Sequence, residues 1–334
     1  MLNAIYEADF LGFSYGFRPG RGQHDALDAL SVGLVRKKVN WVLDADIRDF
    51  FNTIDHGWLV KFIEHRVADV RIVRLIQKWL SAGVLEDGRW SPSDEGTPQG
   101  ATISPLLANV YLHYVFDLWV ERWRRTRGRG DVVVVRYADD FVVGFEQQGH
   151  AAAFLRDLRE RFRKFGLELH PDKTRLVEFG RYASERRERR QVGAPETFDF
   201  LGFTHMCGKA RSGAFLLTRR TIKKRMRAKL KLVRTELMRR RHLSLKDQGT
   251  WLAGVVRGYL AYHAVPTNTR AIQTFRREVV RHWHKALWRR GQRQRLPWTR
   301  MNLLAKRWLP TARVSHPWPT ERFDARTRGG SRVR

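Results

Sequence analysis

Two short stretches set carboxylates among apolar β-formers. One is Tyr137-Ala138-Asp139-Asp140, with β-branched residues on both sides; the other is Trp41-Val42-Leu43-Asp44-Ala45-Asp46-Ile47, followed by Phe50 and Phe51. Strand alternation puts Asp44 and Asp46 on one face, with Asp46 nearest the strand end. An acidic pair at a hairpin turn is by itself usually a turn former. Were the two strands neighbours, however, Asp46, Asp139 and Asp140 would meet at one place. Such a group repels itself unless a cation neutralises it, and hard carboxylate oxygens favour magnesium, which in turn takes phosphate. Two magnesium ions held there could activate a hydroxyl and stabilise a leaving pyrophosphate, which is nucleotidyl transfer. Asp46 and Asp139 stand 93 residues apart, so spacing alone does not bring them together.

The elements that must position these acids follow from periodicity. Up to about residue 215, short β-rich runs alternate with helical ones, as in an α/β or α+β domain. Residues 40–47, 132–137, 141–145 and 198–205 read as strands, the middle two forming a hairpin. Residues 23–38, 56–67, 70–82, 101–123 and 150–165 read as helices, the last stopping at Gly166. Beyond 215 the period is helical. Ile222, Met226, Leu230, Val233 and Leu237 make an apolar stripe, and Lys223, Lys224, Arg227, Lys231 and Arg234 take the remaining surface. A second helix carries Trp251, Leu252, Val255, Val256 and Tyr259 and stops before Pro266; a third carries Ile272, Phe275, Val279, Trp283 and Leu287 and ends at Gly291. At this spacing Trp251, Tyr259 and Trp283 are core residues first and stacking residues second. From Pro310 onward, Pro317, Pro319 and the Gly329-Gly330 pair predict irregular chain. The expected domains are therefore 1–214, 215–305 and a basic tail, 306–334.

Charge points to the partner. Lys and Arg number 64 against 34 acids, a net charge of +30. Between Arg219 and Arg300 there are 24 basic residues and three acids, a surplus of 21 over 82 residues. Solubility does not require that much, whereas structured RNA would be bound by it through phosphates and shape. Twelve Trp and 19 Phe accompany the charge, as stacking on bases requires. The single cysteine, Cys207, excludes an intramolecular disulfide framework and a Cys-rich zinc site and fits a reducing compartment, so a cytoplasmic location is expected. A charged-then-apolar leader and a run of about 18 apolar residues are both missing, so neither export nor a membrane partner is expected.

Six segments occur in order: Gly16-Phe17-Arg18-Pro19-Gly20-Arg21, Leu43-Asp44-Ala45-Asp46-Ile47 through Phe51, Gly96-Thr97-Pro98-Gln99-Gly100, the Tyr137–Asp140 box, Pro171-Asp172-Lys173-Thr174 and Phe200-Leu201-Gly202-Phe203. Together they resemble the successive blocks of group II intron reverse transcriptases, and the helical region, with Trp251-Leu252 and Arg257-Gly258-Tyr259, resembles that family's thumb or maturase domain. The implied fold is α+β, a right-hand polymerase palm of antiparallel sheet and packed helices followed by an all-α helical bundle. The implied activity is RNA-directed DNA polymerisation, with maturase binding of intron RNA to promote splicing and mobility. Partners would be intron RNA, an RNA template with a DNA primer, and dNTPs, with the oligomeric state left open.

The resemblance also implies roles. Asp46, Asp139 and Asp140 match the catalytic metal positions for two Mg2+ ions. Phe51 matches the aromatic beneath the incoming sugar, and Gln99 and Gly100 match the loop that approaches nucleotide and template. Lys173 matches a residue near the triphosphate, and Phe200, Leu201, Gly202 and Phe203 match the primer grip. Arg18 and Arg21, in a Gly- and Pro-rich loop, are expected to be exposed to backbone phosphates. Lys223, Lys224, Arg227, Lys231 and Arg234 would bind RNA. A polymerase that copies RNA into RNA would share the carboxylates, but Phe51 and the Tyr137 box argue against it. The family's fingers precede the Gly16 loop, which here follows only 15 residues. That predicts an amino-terminally truncated relative with a nucleotide site open on one side, and it raises a rival reading, an inactive RNA-binding remnant. Paired cysteines and a His-rich block after the helices are both missing, so an appended endonuclease is not expected.

Overall fold

The computed structural model describes residues 2–81, 84–86, 89–91, 103–290 and 296–327. Gln99 and Gly100 lie outside the described residues. The chain divides into two compact units. Unit one is Met1–Leu201, Cys207–Leu217 and Arg322–Arg334; unit two is Gly202–Met206 and Thr218–Glu321.

In unit one, helices α1 (Leu2–Asp9) and α2 (Gln23–Arg36) precede strand β1 (Trp41–Ala45). A 3-10 turn at Phe50–Asn52 leads to α3 (His56–Glu64) and α4 (Val70–Ser81), then to the short strands β2 (Val84–Glu86) and β3 (Arg89–Ser91). Helix α5 (Ser104–Leu112) passes through a π turn, His113–Asp117, into α6 (Leu118–Thr126). The continuous helix expected over 101–123 is thus widened by one turn, which carries Asp117 at 0% exposure. Strands β4 (Val132–Tyr137) and β5 (Asp140–Phe145), helix α7 (Gln148–Lys164), strand β6 (Arg175–Glu178) and helix α8 (Ala183–Arg189) follow. The main sheet has the order β4-β5-β1-β6, antiparallel throughout. Its valine-rich strands are buried, and Phe116, Phe141, Phe145, Phe154 and Phe162 fill the layer between the sheet and α5–α7.

The run expected over 198–205 is interrupted. β7 (Phe198–Phe200) turns at Leu201 and Gly202, both with positive φ (44° and 82°), into β8 (Phe203–Lys209), which pairs with β9 (Phe215–Thr221). A two-residue loop with both φ values positive matches the right-handed twist of the strands it joins.

Unit two is helical: α9 (Lys223–Arg239), α10 (Leu245–His263), α11 (Thr269–Trp288) and α12 (Trp298–Trp308). Most of the predicted stripe lies in its core, with Leu230, Val233, Leu237, Leu252, Val256, Ile272, Phe275, Val279 and Trp283 buried together and Met226 partly buried against them; Ile222 is not part of this cluster. Trp283 is fully buried because its indole N–H donates to Gln248 Oε1 at 3.0 Å, and Gln248 in turn donates to the Leu243 carbonyl. Tyr259 stacks on Phe275 with centroids 3.5 Å apart. Helix α12 adds Met301 and Ala305 to this core, so four helices pack where three were expected. Gly249 of α10 lets α12 approach; a Cβ there would lie 2.5 Å from the Trp308 ring. The tail is not wholly irregular either, since α13 spans Pro319–Thr327. Its Arg322 and Arg326, together with Asp324, form ion pairs with Asp28, Asp25 and Arg36 of α2. Among the described residues no helix is long and apolar enough to cross a membrane.

Candidate active site

The sheet brings the two acidic stretches together. β1 lies between β5 and β6, with Asp44 opposite Val142 on one side and Arg175 on the other. Ala45 pairs with Phe141, so Asp46 follows the end of β1 next to where β5 begins at Asp140. Tyr137 pairs with Asp140, which leaves Ala138 and Asp139 as a two-residue turn. Burial holds the Asp139 carboxyl above the usual carboxylate range, and the nearby charge of Asp46 pushes it the same way. Lys173 Nζ donates to Asp46 Oδ2 at 2.5 Å. That bond, and then the fields of Asp46, Asp140 and Asp139, raise the ammonium's pKa.

The other half of the face repeats the pattern. Arg175, two residues beyond Lys173, reaches Asp44 at 3.5 Å. Burial nevertheless pushes the Asp44 carboxyl up to about 6, against the pull of Arg175 and helped by Asp199 and Asp140.

The turn itself rests on a buried network. Arg136 is 0% exposed. It donates to Asp117 through Nε (2.7 Å) and Nη2 (2.6 Å), to Asn109 Oδ1 (3.0 Å) and the Ala138 carbonyl (3.0 Å) through Nη1, and to Ser14 Oγ (2.7 Å) through Nη2. All five guanidinium N–H groups are thereby used. Asn109 closes the network by donating to the Gly16 carbonyl at 2.7 Å. Ala138 is held at φ 57°, where a Cβ costs about 1–2 kcal/mol. Gly16 packs on it so closely that a Cβ at residue 16 would stand 2.3 Å from the Ala138 nitrogen. The Gly16 loop therefore props the acidic turn from behind, with Phe17 beside Tyr137, ring centroids 6.4 Å apart.

Other expected residues fall as follows. Phe51 is half-buried, edge-on to Phe50 at 5.3 Å. Phe200 and Phe203 are buried, Phe203 stacking on Tyr262 at 5.7 Å. The expectation of an exposed Arg18 is corrected. Its guanidinium is buried, paired with Glu7 of α1 at 2.6 Å, and donates to the Leu11 and Ser14 carbonyls. Arg21 is mostly covered as well and donates to the Gly12 and Ser14 carbonyls. Both cations hold the loop rather than present it to phosphate. Lys223, Lys224, Arg227, Lys231 and Arg234 are all exposed on α9. Arg136, Asp117, Asn109 and Arg175 are site residues that the motifs did not reveal.

Among the described residues no group of three or more His, Cys, Asp or Glu side chains is arranged as a ready-made metal cluster. The donor chemistry nonetheless suits magnesium: hard oxygens on adjacent strand ends, whose combined field also raises the pKa of the Lys173 ammonium.

An antiparallel sheet with an acidic hairpin beside an acidic strand end, backed by helices, is the palm of a nucleic-acid polymerase. The chain belongs to the reverse transcriptase (RNA-dependent DNA polymerase) family, whose sequence profile matches residues 1–205. It is 33% identical over 211 residues to Protein YkfC of Escherichia coli (strain K12), covering 52% of this chain and 54% of that one. It is 41% identical over 113 residues to the Group II intron-encoded protein LtrA of Lactococcus lactis subsp. cremoris, covering 34% of this chain and 18% of that one. The chain thus spans about half the length of the first of these relatives and less of the second. The apo telomerase of Candida tropicalis shares the fold, with a TM-score of 0.50 at 12% identity over 96% of this chain and 51% of that one.

Proposed function

We propose that this chain performs RNA-templated DNA synthesis and binds intron RNA through its helical unit, promoting splicing and mobility. The observation that carries the reading is the convergence of Asp46 with the Asp139–Asp140 hairpin around the Lys173 ammonium. Asp46, Asp139 and Asp140 would hold two magnesium ions, which when bound supply the positive charge that activates a primer 3′-hydroxyl and neutralises the leaving pyrophosphate. Lys173, 60% exposed at the site's edge, orients the triphosphate as it exchanges Asp46 for phosphate oxygens. Phe51 fills the space a 2′-hydroxyl would need. The Arg136 network keeps the hairpin in one position, as a reaction that depends on positioning requires. The exposed cations of α9 contact RNA phosphates, and the setting is cytoplasmic.

The test is primer extension on an RNA template with magnesium and dNTPs, comparing the chain with Asp139→Ala at matched RNA occupancy. Incorporation that the variant abolishes is expected. Incorporation that survives Asp139→Ala refutes the site assignment, and RNA binding without incorporation by either protein reduces the function to RNA binding.

A further inference from the structure

A second concave surface lies in unit two, lined by residues distinct from the α9 cations. Between α11 and α12 is a cavity of about 690 Å³, within the size range of small-ligand sites. Its floor is apolar, formed by Val280, Ala305 and Leu309, all buried. Its walls are cationic, with Arg277 and Arg281 from α11 and Lys306 from α12. The two guanidiniums share a single carboxylate, Glu278, at 3.7 and 3.0 Å, so positive charge remains in surplus.

At the rim stands Trp298, 49% exposed, in contrast to the fully buried Trp283 of the same unit. Its indole stacks on the His284 imidazole, centroids 4.2 Å apart and planes 19° off parallel. His284 Nε2 is 2.8 Å from the Leu296 carbonyl, so it carries the proton and donates, which fixes the imidazole and with it the indole. One face of Trp298 is covered by His284. The two walls are also tied together. Arg276 of α11 donates to the carbonyls of Ala305 and Pro310 at the end of α12. The cavity is therefore pre-formed, which lowers the cost of filling it.

We infer that this cavity takes an unpaired nucleotide extruded from structured RNA. The base lies against Trp298 above the apolar floor, the flanking phosphates meet Arg277, Arg281 and Lys306, and the Asn302 side-chain amide at the rim reads the base edge. A base within a duplex is stacked on both faces and cannot enter, whereas a bulged or looped base is already unstacked and stacks readily on an aromatic ring. The choice of RNA as the polymer rests on the proposed RNA-binding function; the pocket itself rests on its own geometry.

The experiment measures binding of the full chain to two RNA hairpins with the same stem, one carrying a single bulged 2-aminopurine and one fully paired. The bulged hairpin is expected to bind about tenfold more tightly, the scale of one base–aromatic stack, with quenching of 2-aminopurine. Trp298→Ala should erase both the preference and the quench while leaving the paired hairpin's affinity unchanged, and Trp298→Phe should restore most of the preference. Lys223→Ala with Arg227→Ala should weaken both hairpins equally. Equal affinity of the parent for the two RNAs, or a preference that survives Trp298→Ala, overturns the pocket while sparing the RNA-binding reading. No binding of either RNA overturns both. An equal preference for a bulged DNA hairpin overturns the choice of RNA.

Discussion

Replacing Arg136 by Met, or Asp117 by Leu, removes one half of an ion pair in which both side chains are 0% exposed. Asp117→Leu leaves the Arg136 guanidinium without its carboxylate, and Arg136→Met leaves the Asp117 carboxylate without its guanidinium. Either single change should cost about 3–5 kcal/mol, the penalty for stranding a buried charge. That is a large part of the 5–15 kcal/mol typical of a whole domain. Arg136→Met also strips the Asn109, Ala138 and Ser14 oxygens of a donor, at about 1–3 kcal/mol for each acceptor left unsatisfied. The double variant removes both charges together and should be less damaging than the two singles summed, by at least about 2 kcal/mol. Urea unfolding of the parent, both singles and the double, followed by tryptophan fluorescence, closes the cycle. Singles costing under about 1 kcal/mol, or additivity within about 0.5 kcal/mol, would refute the view that this pair is the buried support of the acidic turn.

Three further outcomes are expected. Gly16→Ala forces a Cβ into the backbone at Tyr137 and Ala138, so it should lower the urea midpoint by the equivalent of about 1–3 kcal/mol; an unchanged midpoint would mean that the loop does not prop the turn. Burial holds His205 down at about 3, so the unfolded chain takes up a proton first. Its contribution is therefore intact above pH 6.5 and falls by about 1.4 kcal/mol per pH unit below that, about 2 kcal/mol by pH 5. His263, pulled down to about 4, adds in the same direction, and His205→Gln should flatten the difference between urea midpoints at pH 7 and pH 5. Cys207, pushed up to about 11 by burial, should react with a disulfide reagent at pH 8 about a hundredfold more slowly than a thiol at the ordinary value; labelling at the rate of a free thiol would contradict its burial.

What could be read from the sequence was what obeys a local period. β1, β4 and β5 and the stripe from Leu230 to Leu237 came out as expected because alternation and the 3.6-residue repeat are short-range properties. The acidic turn was legible because β-formers flank it on both sides. The network behind it was not, since Arg136 finds its partners 19, 27 and 122 residues away and no spacing rule links them. One signal was present: a lone Arg in the run Val132 to Tyr137 is a cation in a buried strand and must have a counter-ion. Arg18 misled for the opposite reason, because Gly and Pro around it suggest an open loop while its fate is decided by Glu7 on α1. The break at Leu201-Gly202 was a missed turn signal. Helix α13 was hidden by reading Pro319 as a breaker, although proline is well suited to a helix's first position.

Asp44 and Asp46 are the same residue type two residues apart, one within β1 and one just past its end, and β6 opens on Arg175, with Lys173 before it at the same interval. The fold nonetheless gives them different surroundings. Asp44 sits within the sheet, opposite Val142 on one side and Arg175 on the other, where burial opposes ionisation. Asp46 stands one step past the strand, its carbonyl held by the His170 N–H, its carboxylate facing a lysine that Asp139 and Asp140 also attract. A carboxylate that must exchange an ammonium for another cation during turnover has to be at the end of the ladder, where one partner can leave without unpairing the sheet. Asp46 meets that condition and Asp44 does not, which supports the proposed assignment of the chemistry to the second of the two acids.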